Sequence, residues 1–381
     1  MKGRVHFLES AKVVIYPVNV WKVFCDAYIV VMKPLAPSPL SLIAFFVLVV
    51  CCLSANGQTP PRITGQPLYF DAGVLNWPTD REPAAPDLTE AVSNRLFDLH
   101  MEVNECAHFD LIISTAGNWH PALTDFWFNR FLRKQKKLQN WYFTTTPPVA
   151  LEQVQNAHFG VGNLSVNCVP HIAIGPQPVM DALAEAGLTE GEPLPLLTTR
   201  GDVILVQRGN PKNIRTVHDL GRKDVRLATP DPETESGSFG HYTRTLYGVA
   251  YNAFGKETSD TLFSKIFNAN DSTWVAGRRI HHRELPEIIA RGEADAGIFF
   301  YQLARYVTDL FPDRFDIVPL GGGLNAPDPL QGNERVTLLA VRLRGDLSEN
   351  ALALREAFFE EIEKGKLDRY IKGHYMDPAE R

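Results

Sequence analysis

A chain of 381 residues, 45% apolar and 22% charged, has the composition of a folded protein of two or three domains and excludes a mainly disordered or collagen-like one. Its net charge of −6 offers no basic face of the kind nucleic-acid binding requires. The 27 Pro and 27 Gly are scattered without period and read as turn punctuation.

The amino end differs from the rest. From Leu40 to Leu53 the sequence LSLIAFFVLVVCCL carries no charge. That run is short for a membrane-spanning helix, which needs about 20 apolar residues. It suits the apolar core of a secretory signal behind Lys33. Ala55-Asn56-Gly57 puts small residues at the −3 and −1 positions of a cleavage site, so Gln58 is expected to open a mature chain in the periplasm or outside the cell. Met32 is the more natural initiator, and residues 1–31 then read as an upstream over-extension; an uncleaved anchor is the alternative. Removing residues 1–57 leaves 33 bases against 42 acids, a net of −9. It also leaves two cysteines, Cys106 and Cys168, each placed shortly before an apolar run, at 111–114 and 171–175. In an oxidising compartment two such thiols often pair. If the runs are neighbouring parallel strands, the sulfurs lie near the same end of a sheet. A Cys106–Cys168 disulfide is expected, with two separate buried thiols as the alternative.

Residues 58–107, rich in Pro and polar residues with one helical stretch at 88–101, read as an extension lying on a first lobe. Beyond them, short apolar runs alternate with amphipathic ones. Strands are expected at 109–114, 141–145, 171–175, 202–207, 225–229, 296–301, 315–319 and 335–342, and helices at 121–138, 237–254, 284–291, 302–310 and 348–363. This alternation predicts an α/β fold with largely parallel sheets. About 320 residues exceed one comfortable core. Segments near Thr198–Gly201 and Pro319–Arg335 read as crossovers, giving a first lobe at 108–201, a second at 202–318 and a return to the first at 319–381.

The common catalytic signatures are missing: no phosphate loop, no Gly-x-Ser-x-Gly elbow and no His-Glu-x-x-His helix. Ser236-Gly237-Ser238-Phe239-Gly240 approaches the elbow, but Ser236 stands where Gly is required. What recurs is a strand that ends in small or hydroxyl residues and then opens a helix. Ser114, Thr115 and Asn118 form one such site, Thr145 and Thr146 a second, Ser236 and Gly237 a third. Helix starts present free N–H groups and a partial positive charge, and hydroxyls add adaptable donors. Each alone is ordinary capping. Three together, each after a strand, suit an anion held outside the carboxyl ends of the strands.

Four segments then carry a resemblance, in order and spacing, over roughly residues 108–375. They are GPQPVMDALAEAGL (Gly175–Leu188), DVILVQRGNP (Asp202–Pro211), His218-Asp219-Leu220 followed by VRLATPDP (Val225–Pro232), and RGEADAGI (Arg291–Ile298). The chain resembles the type II periplasmic solute-binding proteins of ABC importers, in their molybdate/tungstate-like group. The resemblance implies a two-lobed type II fold, each lobe a mainly parallel sheet flanked by helices, joined by two crossover strands. It implies a monomer that closes on a small tetrahedral oxyanion and delivers it to an ABC-type permease, with no catalysis and no cofactor. Family ligand positions map onto Ser114, Thr115, Asn118, Thr145, Thr146, Ser236 and Gly237. They also map onto a helix start near His282 and an aromatic after Ile298. Here the sequence departs from the family pattern. His282, beside Arg283, stands where the family usually has an apolar residue. The family's Tyr position falls at Phe300, so Tyr301 is offset by one residue and its hydroxyl turns away unless the register shifts. Arg283 or His282 can grip an anion; the plainer reading of the Arg/His cluster at 278–283 is a solvated loop. His120, His241, His281 and His282 have no Cys or carboxylate at ligand spacing, so no metal site is expected. A small organic anion as ligand, an enzyme on the same fold, and a sensor or adhesion module are the alternatives.

Overall fold

The structure, a computed structural model, describes residues 59–69, 75, 100–144, 149–161, 163–268, 274–278 and 280–381. The chain divides between Gly57 and Gln58 into two units, and both lobes belong to the second, Gln58–Arg381. The expected signal segment lies outside the described residues, as do residues 88–99 of the expected first helix and Thr145 and Thr146.

After β1 (Leu68–Tyr69) and β2 (His100–Val103) comes β3 (Leu111–Ser114). Then α1 (His120–Phe126) runs through a π turn (Trp127–Phe131) into α2 (Leu132–Lys134). The lobe continues with β4 (Trp141–Thr144), α3 (Leu151–Gln155), β5 (Phe159–Val161), β6 (Asn163–Val166), β7 (Ile172–Pro176), α4 (Gln177–Glu185) and β8 (Thr189–Thr198). A second lobe follows as β9 (Asp202–Gln207), β10 (Leu227–Thr229), α5 (Ser236–Phe254), α6 (Lys256–Phe267), β11 (Trp274–Ala276), α7 (His281–Ala290), β12 (Ala296–Phe300), α8 (Tyr301–Leu310) and β13 (Phe315–Pro319). The return segment holds a small hairpin, β14 (Gly322–Gly323) and β15 (Ala326–Pro327). Then β16 (Thr337–Leu343), α9 (Glu349–Glu363), α10 (Asp368–Gly373) and β17 (Asp377–Pro378) rejoin the first lobe.

Side-chain alternation gives the first lobe's sheet two buried faces. Leu111 and Ile113 of β3, Ile172 and Ile174 of β7, and Leu338 and Ala340 of β16 face one core with Trp127, Phe131 and Phe358. Ile112, Ala173, Leu339 and Val341 face the other, with Met180 and Leu183 of α4. Strands covered on both faces read as continuous apolar runs, which is why they stand out in the sequence. The second lobe has a single core spanning β9 to β12 and the helices on both sides.

Among the described residues each lobe's main sheet has six strands, in the order β17-β8-β16-β7-β3-β4 for the first lobe and β1-β11-β10-β12-β9-β13 for the second. They are mixed. β4, β3 and β7 run parallel, as do β1, β11, β10 and β12. β8, β16, β9 and β13 pair antiparallel with their neighbours. These four flank the two connections between lobes, β8 to β9 and β13 to β16. A strand that arrives from the other lobe is free of the helical crossover that makes neighbours parallel. The architecture is a two-lobed α/β fold, with less parallel pairing in the first lobe than expected.

The extension departs from expectation. Expected on the first lobe, it has its early part on the second. Thr64 and Gly65 donate their N–H groups to Asn268 Oδ1 at 2.5 and 3.2 Å. β1 adds to the edge of β11, and the Leu75 N–H reaches both carboxylate oxygens of Glu287 at 2.9 and 3.1 Å. β11 is otherwise an open edge, and a passing segment that pairs with it protects it. A later part joins the first lobe, where β2 pairs with β6 beside β5. His100 and Met101, expected at the end of a helix, lie in that strand. Among the described residues no helix is long and apolar enough to cross a membrane.

Candidate ligand cleft between the lobes

The carboxyl ends of β3 in one lobe and of β10, β11 and β12 in the other lead into the residues that touch across the lobes. Ser114 closes β3 and is 1% exposed, with its hydroxyl unpartnered. Thr115 Oγ1 accepts from Trp119 Nε1 at 2.9 Å, which folds the loop over a tight turn at Gly117–Trp119 and buries Trp119 in the core. His120 then opens α1, 3% exposed, with its Nδ1 2.7 Å from the Gly117 carbonyl. A carbonyl only accepts, so Nδ1 carries the proton and a neutral ring keeps its lone pair on Nε2.

On the second lobe α7 starts at His281, three residues earlier than expected. Ile280 caps it in the left-handed region at φ 57°, and the Glu235 carboxylate takes the His281 N–H at 2.9 Å and meets its Nδ1 at 2.8 Å. The solvated-loop reading is therefore overturned for His281, His282 and Arg283, which are 2%, 6% and 8% exposed. His282 Nε2 is buried without a partner. The His120 and His282 rings lie 5.4 Å apart, and a Cβ on Gly117 would come within 2.5 Å of His282 Cε1. Gln302, in the first turn of α8, donates from Nε2 to the Asn118 carbonyl at 3.4 Å, leaving its buried Oε1 unpartnered. The lobes thus meet across Ser114–His120 on one side and His282, Arg283 and Gln302 on the other.

Other expected positions fall differently. Tyr301 donates its hydroxyl to the Leu324 carbonyl at 2.6 Å and its N–H to the Gly201 carbonyl at 3.0 Å. It ties the two crossovers to α8 and does not offer its hydroxyl to the cleft, in keeping with its one-residue offset. Ser236 and Gly237 are exposed in the first turn of α5. Carboxylates crowd that helix start: Asp231 Oδ1 accepts the N–H groups of Glu233 and Thr234 at 2.7 Å each, and Glu235 sits at the cap. Thr145 and Thr146 lie outside the described residues, β4 ending at Thr144 beside Ser114. Sequence reasoning missed Gln302 and Gly117. Gln302 follows a strand end at a helix start, so the rule applied to the three loops could have found it.

Burial, the nearby Arg283 charge and His374 push His120 down to about 3, against the pull of its bond to the Gly117 carbonyl. Burial, then His120, His281 and Arg283, push His282 well below the usual histidine range. Both rings are neutral at pH 7, with the Arg283 guanidinium beside them. At the hinge the balance reverses. Burial opposes charge on His241, yet Asp202, 3.0 Å away, and Glu334 raise it to about 9. Thr245 Oγ1 also donates to Asp202, and Asn333 of the second crossover accepts the Asp202 N–H at 2.7 Å. Among the described residues no group of three His, Cys, Asp or Glu could hold a metal ion. A groove of about 620 Å³ lined by Asp181, Thr198, Arg335 and Asp377 lies along β8, β16 and β17 of the first lobe.

Cys106 and Cys168 are joined in a disulfide, Cα to Cα 5.6 Å. It precedes β3 and β7, at the end of the sheet opposite the cleft. His171 braces it, accepting the Ile112 N–H at Nδ1 and meeting the Cys106 carbonyl with Nε2, each at 3.2 Å.

Residues 172–333 match the family described as bacterial extracellular solute-binding protein. A thiosulfate-binding protein of Escherichia coli (strain K12) is 40% identical over 67 residues, 18% of this chain and 19% of that one. A molybdate-binding protein of Mycobacterium bovis is 34% identical over 82 residues, 22% of this chain and 31% of that one. The chain thus matches about a fifth to a third of the length of these curated relatives. The sulfate-binding protein SubI of Mycobacterium tuberculosis H37Rv superposes with a TM-score of 0.49 at 14% identity, over 72% of this chain and 88% of that one. The family match runs from β7 through the first crossover and the whole second lobe to Asn333 in the second crossover. Over that stretch the chain is similar to bacterial extracellular solute-binding proteins, and it folds as two α/β lobes joined by two crossovers.

Proposed function

We propose that this is an exported solute-binding protein that captures a small anion between its lobes, without catalysis, and hands it to an ABC-type membrane permease. The observation that carries the reading is Arg283: a guanidinium buried at the lobe contact, beside two imidazoles that burial keeps neutral. An anion held beside that guanidinium gains a charge-assisted bond, stronger than a neutral one. Ser114, Thr115 and Asn118 are the first lobe's contribution, with Thr145 and Thr146 added from the sequence pattern. His282, Arg283 and Gln302 are the second lobe's. Closure of the lobes around the ligand is a shift between two populations, driven by the ligand's preference for the closed one.

Relatives named for thiosulfate and molybdate support an oxyanion, of which molybdate and tungstate are the family-like choice. A small organic anion is the second reading, favoured by the acids around the start of α5 and by the His282–Arg283 pair. A ligand at 100 times its Kd stabilises the folded state by about 2.7 kcal/mol. The melting temperature should therefore rise by some degrees with at least one member of a panel of molybdate, tungstate, sulfate, phosphate and small carboxylates. If no member moves it, anion capture is wrong.

A further inference from the structure

We infer that the captured anion brings a hydrogen-bond donor of its own: it is a small acid bearing an O–H group, a monoprotonated oxyanion or a hydroxy acid, in preference to a fully deprotonated one. This rests on the lobe contact being the ligand site.

The contact holds buried acceptors beside the donors of the Arg283 guanidinium. His120 donates from Nδ1 to the Gly117 carbonyl, so its Nε2 can only accept. Gln302 is fixed in the same way: its Nε2 faces the Asn118 carbonyl, which makes the buried, unpartnered atom the acceptor Oε1. His282 Nε2 is a further buried atom without a partner, and it and the Ser114 hydroxyl can serve either role. A buried acceptor left unsatisfied is destabilising. Native folds hold few such groups, and each calls for an explanation. Here they gather where the two lobes touch, and a ligand donor satisfies them.

Several backbone donors around the contact are already engaged. The His281 N–H at the start of α7 is held by Glu235, and the Tyr301 N–H at the start of α8 by the Gly201 carbonyl. The N–H groups of Glu233 and Thr234 before α5 are held by Asp231. A fully deprotonated oxyanion has acceptors only, so against His120 Nε2 and Gln302 Oε1 it meets lone pair with lone pair. A ligand O–H aimed at either turns that repulsion into a hydrogen bond while the charged end meets Arg283. A site built to bond a ligand hydroxyl can reject the analogue lacking it by up to about 10⁴–10⁵.

Two matched pairs test this by titration calorimetry of the purified protein at pH 7. Phosphate, which keeps a P–OH, is set against sulfate; glycolate, with its C–OH, against acetate. In at least one pair the O–H member should bind about tenfold or more tightly, and the pair that discriminates tells whether phosphorus or carbon carries the acid. Gln302→Met should shrink that preference to roughly threefold or less, with the melting temperature of the free variant reporting that it folds. Where that variant fails to fold, the wild-type pairs alone decide. Equal or tighter binding of sulfate and acetate overturns the inference and leaves anion capture standing. Failure of all four ligands, with no shift in the wider panel, overturns both. Zinc alone raising the melting temperature reassigns the imidazoles to a metal and overturns the inference too.

Discussion

His120, His282 and His241 are three buried histidines with opposite protonation, and their neighbours decide which way each goes. His120 and His282 face each other and Arg283, so protonation adds charge where burial and a like charge both resist it. His241 faces Asp202 and Glu334, which outweigh its burial. The consequences for stability have opposite signs. A histidine held down in the fold takes up protons more readily once unfolded, so its stabilisation is lost as pH falls below about 6.5. A histidine raised to about 9 contributes fully below about 6.5 and loses its contribution as pH rises through 9. Melting temperature against pH should therefore fall on both sides of a neutral maximum. His282→Gln should flatten the acid limb and His241→Gln the alkaline one; a wild-type profile level from pH 4 to 9 would refute both assignments. Little of this was legible in the sequence. His282 and Arg283 stood out as a cluster, but their burial depends on Glu235 reaching the His281 N–H from 46 positions away, and spacing carries no sign of that.

The elements that sequence patterning found are those buried on both faces, such as β3, β7, β9 and β12. β8 escaped because Gly191, Pro193 and Pro195 read as turns. It tolerates them through register shifts against β16, where the ladder is already broken. β11 is three residues long, too short for a pattern. α6 was hidden behind α5, from which only Gly255 at φ 79° separates it. The disulfide acts at this scale. It closes a loop with a sequence separation of 62, which on a chain-entropy account is worth about 4 kcal/mol. Because it precedes β3 and β7 at the end away from the cleft, reduction should lower the denaturant midpoint strongly and leave anion affinity about unchanged. If reduction costs affinity and no stability, the bridge belongs to the site and not to the scaffold.

At the scale of the whole molecule, residues 58–381 carry a net charge of −9. A protein of that charge attracts no anion through a general field, so the proposed capture relies on local groups at the lobe contact. Closure in turn depends on how near the lobes come. Gly117 marks a tight approach at the cleft, since a methyl group there would overlap the His282 ring. Its backbone is not left-handed, so alanine should leave the first lobe unstrained and obstruct only the closed form. Overpacking a tight contact costs about 1–3 kcal/mol, enough for roughly a tenfold loss of affinity. The most direct measurement is therefore titration calorimetry of Gly117→Ala beside wild type, using the panel anion that raises the melting temperature most. Capture by closure predicts binding about tenfold weaker, with the melting temperature of the free protein about unchanged. Affinity equal to wild type would mean that the anion does not bind between closing lobes.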